Sequence, residues 1–184
     1  MSTENLARAF ASTRSVLTNV GPDQLDQPTP CQLWTVHQLI NHVVGAPRFG
    51  VLALETGEGH QDDTDYAAGD FVAAFDETCK AALSAFEAPG ALETMVSLPF
   101  GQIPGALLLS IMTTDQLTHG WDLARATGQS TELDPALAEE LLAEVNIPDE
   151  FRGEEGKAAF GPKQEAPPDA TAADRLAAYT GRRL

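Results

Sequence analysis

The chain has 184 residues, a formal charge of −16 at pH 7 and a pI near 4.4. Such a charge speaks against nucleic acid and anionic membrane surfaces as partners. A hydrophobic fraction of 43% with 21% charged residues is that of a globular chain, long enough to form one domain over 1–184 with its own core.

The N-terminus, MSTENLARAF, carries no basic region followed by an apolar one, so no signal peptide is read there. A first helix is expected over about 3–19, with Leu6, Phe10 and Leu17 in a loose 3.6-residue period. The prolines of PDQLDQPTPCQLW make the next segment a loop. Thr35, with Gln38 three residues on, is a capping-box start for a second helix. Its apolar stripe is Val36, Leu39, Ile40, Val43 and Val44, and it is expected to kink at Pro47 and to run to about Leu54. A polar loop leads to a third helix over about 70–87. TMVSLPFGQIPG is too short and too punctuated for a helix and reads as a small hairpin.

The fourth helix, about 104–127, is the most apolar and stops at Gly128. A fifth spans about 134–146, an irregular tail follows, and a short helix lies near TAADRLAAYTG. From Glu132 to Glu155 nine acids face the single base Arg152, a solvated acidic skirt. No run reaches the 18 apolar residues of a membrane span. Cys31 and Cys79 read as free thiols in a chain expected to be cytoplasmic. The elements together predict an all-α, up-and-down four-helix bundle with a small β-hairpin and a short C-terminal helix.

The fourth helix holds the chemistry. With Leu108 at zero on a helical wheel, Ile111, Met112 and Leu123 form an apolar stripe, and Asp115 and His119 fall at its centre, at about 340° and 20°. Asp122 lies beside them at about 320°. Burying a carboxylate and an imidazole costs free energy unless something pairs with them. The four-residue spacing stacks the two, so they can share a divalent ion such as zinc, manganese, nickel or iron. They can equally form a satisfied Asp–His hydrogen bond with Asp122 as a further partner. A third ligand has to come from elsewhere. His60 sits in a solvated loop, and His37 and His42 both border the stripe of the second helix, where periodicity does not choose between them.

The segments PTPCQLWTVHQLINHVVG and DQLTHGWDLARATGQ resemble, in the same order, the two metal motifs of the DinB-like, mycothiol-dependent maleylpyruvate isomerase superfamily. The tail DATAADRLAAYTGR is similar to that of a subgroup of short actinobacterial members described as metal-binding proteins. The resemblance implies a bundle with three ligands, His42, Asp115 and His119, most often on zinc. Mycothiol or a related thiol would be the co-substrate and an electrophile the second substrate; such bundles are often homodimers.

Asp122 is expected behind these ligands, orienting a histidine through a hydrogen bond or capping backbone groups. Trp121 is expected with Asp122 behind the ligands, as a packing anchor that can also line the pocket mouth, and Trp34 as an anchor. Arg125 is a candidate partner for Asp122 or for a carboxylate of the thiol. Cys31 reads as a half-buried structural thiol rather than a nucleophile.

The isomerase itself continues into a sterol-carrier-like domain, whereas this sequence stops at Leu184. Thiol S-transfer is therefore the expected reaction, ahead of maleylpyruvate isomerisation. A non-catalytic bundle that holds a metal or small ligand is the alternative. No phosphate-binding glycine loop, nucleophile elbow or C-x-x-C is present.

Overall fold

Most helices begin on a residue whose side chain satisfies the first free amides. In the computed structural model, which describes residues 1–31, 33–154 and 158–184, Ser2 caps α1 (Thr3–Leu17) by accepting from the Asn5 amide. Thr35 and Gln38 form the expected reciprocal box at the start of α2 (Val36–Thr56). Asp70 caps α3 (Phe71–Glu87) and Asp134 caps α5 (Pro135–Glu144). Thr171 and Asp174 box the start of α6 (Ala172–Tyr179). Between α3 and α4 (Gly105–Ala126) lies the hairpin of β1 (Met95–Leu98) and β2 (Gly101–Pro104). Its pair Val96–Ile103 faces the core.

The result is an all-α bundle with a hairpin, as the pattern predicts. Around it the helices follow the ring order α1, α4, α2, α3. The chain thus crosses the bundle diagonal between α1 and α2 and again between α3 and α4, which makes α2 and α4 direct neighbours. No helix among the described residues is long and apolar enough to cross a membrane.

Two local results depart from the sequence pattern. α2 runs through Pro47 and ends two residues later than expected, at Thr56, where Gly57 closes it in the left-handed conformation at φ 76°. Proline at 47 has no N–H to offer the carbonyl of Val43 four residues earlier. Gln116 of α4 supplies the donor instead, its Nε2 lying 3.0 Å from that buried oxygen.

The second departure concerns α4. Every residue from Met112 to Ala124 is buried except Asp115, which is half-buried, while Ile111, placed in the apolar stripe by the wheel, is exposed. The helix has no single buried stripe because α1, α2 and α6 all pack on it. The contact with α1 is close: a Cβ at Gly120 would come within 2.6 Å of Thr13 Oγ1. That hydroxyl also donates to the Gln116 carbonyl at 2.7 Å.

Candidate metal centre

The adjacency of α2 and α4 brings three side chains together. His42 Nε2 lies 3.2 Å from each oxygen of Asp115, and His119 Nε2 lies 3.4 Å from Asp115 Oδ1. One ligand atom from each residue falls within 4.8 Å of the others. These separations are long for hydrogen bonds between charged groups, which cluster near 2.7–2.9 Å. They lie close to the roughly 3.3–3.6 Å between donors that each sit about 2.0–2.2 Å from a tetrahedral zinc. The donor set, two imidazole nitrogens and a carboxylate, is also one that zinc and its neighbours accept. The residues therefore fit a divalent ion.

The cluster is partly open to solvent. The side chains of His42 and Asp115 are 30% and 27% exposed, whereas that of His119 is 10% exposed. Trp34, at the end of the loop before α2, roofs both imidazoles, with ring centroids 4.8 Å from His42 and 5.6 Å from His119. It lends the site an apolar wall.

Behind His119 lies a second set of groups. Asp122 is fully buried and accepts from His119 Nδ1 at 2.9 Å. With the Nδ1 proton held there, Nε2 is the nitrogen that faces His42 and Asp115 and that an ion would take in place of its proton. Cys31 Sγ is 3.2 Å from Asp122 Oδ2 and 3.7 Å from His119 Nδ1. Cys31, His119 and Asp122 form another cluster of potential ligands. Its cationic place is already taken: Arg182 Nη2 lies 2.8 Å from Asp122 Oδ2, 3.4 Å from Sγ and 3.5 Å from Nδ1. A metal there would have to displace a guanidinium, so the His42–Asp115–His119 group is the better candidate.

The protonation states follow from this arrangement. Burial acts to raise the Asp115 carboxyl, but His42 and His119 outweigh it and hold the group well below the ordinary carboxylate range. Burial likewise acts against charge on Asp122, and Arg182 and His119 overcome it to bring the group down to about 2. For His119 burial favours the neutral ring, yet Asp115, Asp122 and Cys31 together raise it well above the usual histidine value. A proton on His119 thus balances charge that a divalent ion would otherwise balance.

Of the residues singled out in the sequence, His42, Asp115 and His119 converge, and Asp122 lies directly behind them. His37 points away and pairs with Asp65 at 2.6 Å, and His60 is exposed. Trp121 is not at the cluster: it is buried, and its indole donates to Asp174 of α6 at 2.7 Å. The reason is the packing of α6 against that side of α4. Arg125 is exposed, and the cation on Asp122 is Arg182. Both cysteines are free, Cys79 is buried, and burial pushes its thiol up. Three groups were missed in the role they hold: Trp34 as a roof, Cys31 beside Asp122, and Arg182. The first two lie close to His42 in the sequence, which is a faint signal; for Arg182 there was none.

Residues 6–124 match the mycothiol maleylpyruvate isomerase N-terminal domain family, a stretch running from α1 through the Asp115–Asp122 segment. Two proteins of Mycobacterium tuberculosis, from strains CDC 1551 / Oshkosh and ATCC 25618 / H37Rv, are each 41% identical over 179 residues. The alignments cover 95% of this chain and 94% of each relative, and both relatives are described only as uncharacterized proteins. Matched over the four helices of its bundle and over both helices that carry the cluster, the chain belongs to the mycothiol maleylpyruvate isomerase N-terminal domain family, a DinB-like group.

Proposed function

We propose that the protein binds one divalent metal ion, zinc first among the candidates with nickel, manganese and iron behind it, through His42, Asp115 and His119. We further propose that it uses the ion in S-transfer or a related isomerase-like reaction of a low-molecular-weight thiol of the mycothiol type. The observation that carries the reading is the position of Asp115 between two imidazole nitrogens at donor-to-donor spacings suited to a metal. Family membership supports the choice of thiol.

A bound divalent ion lowers the pKa of a coordinated thiol, so that its sulfur is deprotonated near neutral pH. The chain's own residues do the rest. His42 and Asp115 line the open side, where a thiol can enter. Trp34 covers the imidazoles and thins the water around the sulfur, which strengthens charge interactions there. Asp122 holds His119 in one tautomer. In the reaction, the thiol loses its proton to solvent and the sulfur forms a C–S bond to an electrophilic carbon, whose leaving group departs with the bonding pair.

The test is consumption of mycothiol, or of a close analogue, with a panel of electrophiles by zinc-loaded protein. Metal-dependent loss of thiol, absent in Asp115→Ala, supports the reading. Metal binding without consumption of thiol by any electrophile leaves the protein a non-catalytic binder and overturns the transferase part.

A further inference from the structure

Arg182 lies outside the matched family domain, yet it reaches the back of the candidate centre through a series of specific contacts. Asp174 seats α6 on the bundle by accepting from Trp121 Nε1 at 2.7 Å and from Thr131 Oγ1 at 3.1 Å. After α6 the chain reverses at Gly181, whose φ of 104° suits glycine. A Cβ there would strike the backbone of Gly161 at 2.6 Å. The turn brings the Arg182 amide to the Ala177 carbonyl at 2.9 Å and points its guanidinium inward. There Nη2 lies 2.8 Å and Nε 3.2 Å from Asp122 Oδ2, Nε also lies 3.2 Å from Oδ1, and Nη1 donates to the Thr180 carbonyl at 3.3 Å. The side chain is only 12% exposed. Asp122 Oδ2 is therefore shared between Arg182 and the Nδ1 proton of His119.

We propose that Arg182 is a positioning residue for the metal centre: it holds the Asp122 carboxylate so that His119 keeps its proton on Nδ1 and offers Nε2 toward His42 and Asp115. The C-terminal segment thereby tunes a site built by the family domain. A guanidinium suits this task better than an ammonium, because its rigid fork meets the carboxylate with two nitrogens. The proposal rests on the metal reading above, and its test separates the two.

Cobalt(II) is titrated into metal-free wild type, Arg182→Met, Arg182→Lys, Asp122→Asn and the Asp122→Asn/Arg182→Met double variant, with circular dichroism to establish folding. Affinity is taken from the titration and ligand geometry from the d–d absorption. Groups behind metal ligands typically contribute about 10- to 100-fold in affinity. Arg182→Met is expected to weaken binding about tenfold or more and to change the d–d spectrum, and Arg182→Lys to recover only part of the loss. In the Asp122→Asn background the same Arg182→Met change is expected to add little, since its route is already cut.

Wild type that binds no cobalt(II) overturns the metal reading itself. Wild type that binds while Arg182→Met keeps the same affinity and spectrum overturns the role of Arg182 alone. An equal further loss in the Asp122→Asn background overturns the route through Asp122. If Arg182→Met does not fold, Arg182→Lys decides: wild-type affinity and spectrum would contradict the proposal.

Discussion

Gln116 of α4 donates its side-chain amide to the carbonyl of Val43 in α2, 3.0 Å away. Each partner is the sequence neighbour of a candidate ligand, Asp115 on one side and His42 on the other. The bond exists where Pro47 leaves the Val43 carbonyl without its usual helical donor, and so pins the two helices at the level of the site. Gln116→Leu leaves that buried oxygen without this donor and is expected to cost about 1–3 kcal/mol of stability and to weaken metal binding. Pro47→Ala in the same background restores an N–H four residues on and should recover part of the loss. Denaturant unfolding of the two single variants and the double one measures this; no recovery would show that the carbonyl is satisfied in another way.

The roof over the imidazoles gives an optical handle. The sequence contains two tryptophans. Trp34 sits over His42 and His119, while Trp121 is bonded to Asp174 on α6. Titration with nickel(II) or cobalt(II) is expected to quench fluorescence chiefly from Trp34, so that Trp34→Phe loses the response and Trp121→Phe keeps it. The reverse pattern would place the ion elsewhere.

Acid and base should both destabilise metal-free protein through this cluster, each by way of different groups. Asp122 titrates at about 2 in the folded chain, below its ordinary value, and Asp115 is shifted the same way. Their contribution is present above about pH 4 and is lost as the pH falls toward 2. His119 is raised, so its contribution is complete below about pH 6.5 and declines as the pH climbs through its folded value. Unfolding curves of chelator-treated protein should therefore weaken at both ends, and added zinc, which displaces the proton, should stabilise more at pH 8 than at pH 6. Zinc stabilisation that is equal at both pH values would count against a histidine-ligated ion.

The α1–α4 contact makes a separate claim about the bundle. A methyl group at Gly120 would come within 2.6 Å of Thr13 Oγ1 and 3.3 Å of Thr13 Cα. Gly120→Ala should then destabilise by about 1–3 kcal/mol despite the better helix propensity of alanine. Thermal melts check the sign; an unchanged or higher melting temperature would show that α1 can back away at little cost.

The start of α2 was legible because Thr35 with Gln38 announces a cap in the residues themselves; the other helices were read from their apolar period and their stops, and their caps at Asp70 and at Thr171 with Asp174 are seen only in the structure. Asp115 and His119 were legible as a pair from their four-residue spacing. His42 was not distinguishable from His37 by period, and only the family resemblance chose it; the structure places His42, not His37, beside Asp115. The single buried stripe expected of α4 does not exist, since a helix packed on three sides has no dry face to read. Arg182 reaches Asp122 from a tail sixty residues later in the chain, and no local pattern carries a contact of that kind.

The metal content of the protein tests the His42–Asp115–His119 centre most directly. Equilibrium dialysis against zinc at neutral pH, read by elemental analysis, should give one ion per chain in wild type and a large loss in His42→Ala, Asp115→Ala and His119→Ala, each still helical by circular dichroism. His37→Ala, whose imidazole pairs with Asp65 away from the cluster, should retain the ion. Wild type without bound metal, or ligand variants that hold zinc as tightly as wild type, would contradict the assignment of this site.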